Sequence, residues 1–301
     1  MKNRVALVLS SGGARGIAHI GAIEELESRG YEIAAISGTS MGALVGGIYA
    51  EGGLALYKEW MLTLDRMDVF SLVDFTLSGR GLVKGEKVLQ EMKKIIPDKS
   101  IENLRIPYAA IATDILNGKE IVFEKGSLYN AIRASVSIPT VFTPFEYQGL
   151  TLVDGGVVNP VPINRVKRSS EDLLVVVDVN AAIPYKKKGR AHEKKEEIQL
   201  TEDKRFSKYV RLLTHKFNSL IPNNEKDKLG YFNLLNKTTN LMVHQLSQMA
   251  IEKGNPDVLI NVPHESFGVF DFYKTAELVQ LGRDQTKLAL DEYERKLNRI
   301  E

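Results

Sequence analysis

The sequence predicts an α/β fold, with a mostly parallel central sheet covered by helices on both faces. Two strand, glycine turn, helix units lie within the first 50 residues. Consecutive parallel strands need a crossover, and that crossover lays a helix on the sheet. The third observation is Leu173–Val179, apolar and β-branched apart from Asp178, the best strand candidate in the chain.

Residues 4–9 read as the first strand. Ser10-Ser11-Gly12-Gly13-Ala14-Arg15-Gly16 follows as a glycine turn, and Ile17, Ile20, Ile23 and Leu26 then recur at helical spacing up to Gly30. A second apolar run, 33–36, passes through Ser37-Gly38-Thr39-Ser40-Met41-Gly42 into a helix whose Ala43, Gly47 and Ala50 suit close packing on a sheet. Residues 54–105 are mostly helical in pattern, over Leu54–Met67 and Val88–Ile96. Tyr108–Thr113 and Glu120–Phe123 read as strands joined at Asn117-Gly118, a hairpin that makes the sheet mixed. A helix over 127–136 precedes a strand that carries Leu152-Val153 into Asp154-Gly155-Gly156. Later elements are a helix over roughly 229–252, a strand at Val258–Val262 and a C-terminal helical region from about 271, interrupted near Gly282. No linker divides the chain, so 1–301 reads as one domain: a core of about 4–180, a helical insertion of about 185–255, and C-terminal elements over about 256–301.

Composition removes several chemistries. There are no cysteines, so disulfides, thiolate metal sites and Cys nucleophiles are excluded, and a nucleophile must be Ser, Thr, Lys or a carboxylate. The short apolar run after Met1-Lys2-Asn3-Arg4 leads into a glycine loop rather than a cleavage site, so it reads as a strand and the protein as cytoplasmic. No run approaches the ~20 apolar residues that span a bilayer, which leaves peripheral membrane contact. The net charge of +2 is unevenly spread: Tyr185–Gly230 carries 13 Lys/Arg against 7 Asp/Glu, a local +6 that leaves −4 elsewhere. Within that stretch an apolar and cationic helical pattern over 204–221 fits an interfacial lid on anionic membrane or a plain surface helix. The mixed acids and absence of a recognised motif argue against nucleic acid.

Gly38-Thr39-Ser40-Met41-Gly42 has the pattern G-x-S-x-G, in which a serine at a strained strand-to-helix turn is a nucleophile and small neighbours let the turn pack closely. On this pattern alone a tight Gly/Ser turn is an equal reading. A serine hydroxyl needs a base within reach and donors for the oxyanion. Gly12 and Gly13 could supply backbone N–H donors, the competing use of the Gly12–Gly16 loop being nucleotide phosphate. Of His192, His215, His244 and His264, only His264 follows a strand, whereas Asp154 ends an apolar strand where a carboxylate reaches the carboxyl edge of the sheet; an Asp-Gly turn accounts for it equally. Asp114 and Asp178 read as turn or capping residues, and His19 as buried packing.

Four stretches in order, Gly12–Gly16, Gly38–Gly42, Ala134–Phe142 with Ser135 and Pro139, and Asp154-Gly155-Gly156 with Asn159-Pro160, resemble the blocks of patatin-like phospholipases. The likeness covers about residues 4–180 and extends to Phe270-Asp271-Phe272-Tyr273; Ser10-Ser11 stands where many relatives have another glycine. It implies a patatin-like three-layer α/β/α sandwich and a Ser-Asp dyad without histidine, with Ser40 as nucleophile and Asp154 as general base. It also implies an oxyanion hole at Gly12 and Gly13, with Arg15, Met41 and Pro139 binding substrate or shaping the site, and no metal or cofactor. The implied activity is hydrolysis of lipid carboxylic esters, of phospholipase A or lysophospholipase type, through an acyl-enzyme. Two other classes stay open: a noncatalytic regulator or adaptor retaining the fold, and a nucleotide-binding protein using the Gly12–Gly16 loop. Head group, chain length and oligomeric state are not readable from the sequence.

Overall fold

A computed structural model describes residues 3–74, 83–139, 141–185 and 231–298. The chain forms two compact units, Met1–Tyr185 with Val243–Glu301, and Lys186–Met242. Of the second unit only 231–242 is described, so the expected helix at 204–221, His192 and His215 lie outside the described residues.

The first unit is built on one sheet. Its strands are β1 (Arg4–Leu9), β2 (Glu32–Thr39), β3 (Tyr108–Asp114), β4 (Lys119–Phe123), β5 (Phe145–Tyr147), β6 (Leu150–Asp154), β7 (Leu173–Ala181) and β8 (Val258–Pro263), in the order β5-β6-β3-β2-β1-β7-β8, with β4 also paired to β3. The pairs β2–β3, β1–β2, β1–β7 and β7–β8 are parallel, whereas β3–β4, β3–β6 and β5–β6 are antiparallel. The central strand β1 is buried from Val5 to Leu9, as a parallel strand covered on both faces must be.

The side chains of β1 and β7 alternate between two hydrophobic clusters. Val5, Leu7 and Leu9 with Leu173, Val175 and Val177 join helices α1 (Ala18–Ser28) and α2 (Met41–Glu51), while Val8, Leu174 and Val176 face Val161 and Ile251. Ile251 belongs to α7 (Tyr231–Gly254), so helices cover both faces of a mostly parallel sheet, the layering expected of the sequence.

Three elements differ from the pattern reading. The helix expected over Leu54–Met67 breaks into α3 (Leu54–Thr63) and α4 (Arg66–Ser71), because Asp65 caps a new helix: its carboxylate accepts the Met67 and Asp68 amides, and Asp68 answers the Asp65 amide. After α5 (Glu86–Ile95) and α6 (Leu128–Ser135) comes the edge strand β5, which the pattern reading does not contain because three residues are too few to set a period. The C-terminal helix α8 (Thr275–Leu297) runs through Gly282 without interruption. That glycine is a contact point: a Cβ there would overlap the Ala18 carbonyl of α1, as one at Gly21 would overlap the Val279 carbonyl of α8. Among the described residues no helix is long and apolar enough to cross a membrane.

Candidate active site

The strand β2 runs further than its apolar stretch, to Thr39, and α2 begins at Met41. Ser40 between them has φ 56 and ψ −123, a left-handed backbone that a residue with a side chain adopts only under strain. The turn closes on its neighbours. A Cβ at Gly38 would overlap the Gly42 carbonyl, and one at Gly42 would overlap the Leu9 carbonyl of β1, which is why both flanks of the serine are glycine. Ser40 is 2% exposed, so its side chain is sheltered from solvent.

Ser40 and Asp154, 114 positions apart, meet because β2 and β6 share one edge of β3. Thr39 pairs with Ile111, and Asp154 with the next residue, Ala112, while β4 occupies the opposite edge at both positions. The end of β2 therefore abuts the end of β6. The Ser40 side chain lies beside the Asp154 carboxyl, and Gly156 N–H donates to Asp154 Oδ1 at 2.7 Å. Burial pushes the Asp154 carboxyl up to about 6, against the pull of Ser40 and of the Gly156 amide. The value suits a group that must be ionised at neutral pH yet take a proton readily.

The glycine turn after β1 lies against both. A Cβ at Gly16 would overlap the Met41 side chain, and one at Gly156 would stand 3.3 Å from Ser11 Oγ. The amides of Ser10, Ser11 and Ala14 donate to the carbonyls of Val177, Pro160 and Val269, whereas those of Gly12 and Gly13 make no backbone hydrogen bond beyond the turn among the described residues. Gly13 has φ 56 and is covered by Val269, whose Cγ1 would lie 2.6 Å from a Cβ placed on it.

Arg15 is spent on structure. It donates to the Val179 and Phe267 carbonyls at 3.1 and 3.2 Å and to Asn180 Oδ1 at 2.7 Å, fastening the glycine turn to the end of β7. Met41 is buried against that turn, and Pro139 is exposed in the turn after α6. The other expectations fall as read: Asp114 accepts the Leu116 and Asn117 amides of its turn, and Asp178 accepts the Asn180 amide. His19 is fully buried, with Nε2 2.9 Å from the Ser10 carbonyl, and burial holds its pKa down at about 4, so it is a neutral packing residue. His264 is placed at the end of β8, its amide bonded to the Ala181 carbonyl. Among the described residues no three His, Asp or Glu side chains converge to hold a metal.

Ser135 and Ser137 have a closer part than the sequence suggested. Ser40 N–H donates to Ser135 Oγ at 2.8 Å, and Ser135 Oγ–H donates to the Ile111 carbonyl at 2.5 Å. Asp154 N–H donates to the Ser137 carbonyl at 2.9 Å. The buried Arg133, which the sequence reading passed over, donates to Ser137 Oγ at 2.6 Å and pairs with Glu86. Its only local signal is a cation between the apolar Ile132 and Ala134.

Residues 7–166 match the family model of patatin-like phospholipase, so the chain belongs to the patatin-like phospholipase family. An NTE family protein of Mycobacterium bovis is 31% identical over 97% of this chain and 92% of its own length. Lysophospholipase NTE1 of Scheffersomyces stipitis is 33% identical, over 59% of this chain and 12% of that protein. Human patatin-like phospholipase domain-containing protein 6 is 31% identical, over 60% of this chain and 14% of that protein. Among solved structures, VipD from Legionella pneumophila matches 97% of this chain and 67% of its own, with TM-score 0.48 and 16% identity.

Proposed function

We propose that this protein is a serine acyl hydrolase that cleaves lipid carboxylic esters, of phospholipase A or lysophospholipase type, through a dyad of Ser40 and Asp154. The observation that carries the reading is a strained serine at the end of β2 set beside the buried Asp154 carboxyl at the end of β6, whose pKa burial raises to about 6. Asp154 takes the Ser40 proton as Oγ attacks the ester carbonyl carbon. The resulting oxyanion accepts hydrogen bonds from the Gly12 and Gly13 amides. Collapse breaks the ester C–O bond, and the protonated Asp154 returns its proton to the departing alcohol. Water then gives a proton to Asp154 as it attacks the acyl carbon; the bond from that carbon to Ser40 Oγ breaks, and Asp154 returns the proton to Oγ as the carboxylic acid leaves. Arg15, Met41 and Pro139 are proposed to shape the site and not to react.

Family membership and the lysophospholipase name of one relative support the substrate class. The chain works on this reading as one patatin-like domain, and the basic stretch Tyr185–Gly230 gives it peripheral attraction to anionic membrane. A noncatalytic adaptor has no need of a hydroxyl held against a buried carboxyl. The test is release of fatty acid from phospholipid, lysophospholipid and a short soluble ester. Wild type is expected to hydrolyse at least one lipid class and Ser40→Ala none; equal rates for the two proteins would overturn the assignment.

A further inference from the structure

The backbone amides of both dyad residues are held by one turn. At the end of α6, Ser135 Oγ accepts the Ser40 N–H at 2.8 Å, and two residues on the Ser137 carbonyl accepts the Asp154 N–H at 2.9 Å. The Ser40 amide needs such a partner. At φ 56 it belongs neither to the ladder of β2 nor to the hydrogen bonds of α2, and it is buried, where an unmatched donor is costly. Ser135 is held in turn from below: its own proton goes to the carbonyl of Ile111, the β3 residue paired with Thr39. The hydroxyl thus closes a relay from the nucleophile's amide back to the strand beside it.

We infer that Ser135 is the positioning residue of the nucleophile: its hydroxyl holds Ser40 in the strained conformation that turns Oγ toward Asp154. The inference rests on the dyad reading above. Without the acceptor, the Ser40 peptide is free to rotate out of a backbone that its own side chain disfavours, so the loss falls on the step in which Oγ attacks and leaves substrate binding alone. Ser135 Oγ bonds the Ser40 amide and the Ile111 carbonyl, not the Ser40 hydroxyl.

The experiment measures the rate of covalent labelling by a fluorophosphonate, kcat and KM on a short ester, and melting temperature. The proteins are wild type, Ser135→Ala, Ser135→Cys, Ser135→Thr and a destabilised control, Thr286→Ala, which removes a buried hydroxyl bonded to the Gly282 carbonyl in α8. Ser135→Ala is expected to lose about 10- to 100-fold in labelling rate and kcat with KM within about twofold. Ser135→Thr keeps the acceptor and recovers most of that loss. Ser135→Cys keeps the volume but accepts poorly, so it reports on the hydrogen bond even if the alanine variant does not fold. Thr286→Ala melts earlier and is labelled at the wild-type rate. An unlabelled wild type overturns the dyad reading and this inference with it. A labelled wild type matched by folded Ser135→Ala or Ser135→Cys overturns this inference alone, as does a folded Ser135→Thr as slow as the alanine variant.

Discussion

The turns that follow β1 and β2 are built alike and used differently. Each ends a buried parallel strand and leads toward a helix packed on the same face of the sheet, and each holds one residue at φ 56: Gly13 in the first, Ser40 in the second. At Gly13 that backbone is unstrained, and the turn offers amides with no side chain beside them. At Ser40 the same angle costs about 1–3 kcal/mol and turns a hydroxyl onto a buried carboxylate. Of these two turns, one has a glycine where the amides are bare, and the other accepts strain at the proposed nucleophile. The charged neighbours differ too. The first turn rests on His19, held neutral by burial, and the second faces Asp154, whose proton burial makes harder to lose.

Exchanging the two solutions breaks the comparison most sharply. Ser40→Gly is expected to abolish hydrolysis while relieving the backbone, leaving it about 1 kcal/mol more stable than Ser40→Ala, the reverse of the usual order for these residues. Chemical denaturation of both variants reads this difference. The complementary change, Gly13→Ala, brings a methyl into strained backbone and against Val269. It should lower kcat by about 10²- to 10³-fold through displaced oxyanion donors, measurable on a soluble ester.

Acidity sharpens the contrast. With Asp154 as base, kcat/KM should fall as pH drops below about 6, by about tenfold per pH unit once the carboxyl is protonated. The stability consequences of the two buried groups have opposite sign. Asp154 titrates near 6 in the folded protein and near 3.8 unfolded, so the folded state holds the extra proton between these values and loses stability as pH rises through them. His19 titrates near 4 folded and 6.5 unfolded, so it loses stability as pH falls through that window. Each contribution is on the order of 3 kcal/mol. Asp154→Asn removes only the first, and urea melts from pH 4 to 7 should show the variant gaining on wild type as pH rises.

What the sequence makes legible depends on the range of each constraint. The elbow was legible because its constraint is local: small residues on both sides of a serine at the end of an apolar run. That both faces of the sheet are covered could be read in the same way, from the continuous apolar runs Val5–Leu9 and Leu173–Val177. Asp154 was recognisable as a strand end, but its pairing with Ser40 depends on β2 and β6 sharing an edge of β3, which only the resemblance of ordered blocks suggested. The bond from Ser40 to Ser135 spans 95 positions and leaves no periodicity to find. Gly282 misled for a related reason: a glycine that admits a neighbouring helix looks, in one dimension, like one that ends its own. The capping pair Asp65 and Asp68 was present in the sequence but outweighed by the apolar spacing on either side of it.

The central claim is that Ser40 is activated directly by Asp154. It is tested most directly by labelling wild type and Asp154→Asn with a fluorophosphonate at pH 7, locating the adduct by peptide mass and comparing rates at matched stability. The account predicts an adduct on Ser40 and a rate lower by about 10³-fold or more in the Asn variant. An adduct on another residue, or a folded Asp154→Asn that is labelled as fast as wild type, would contradict it.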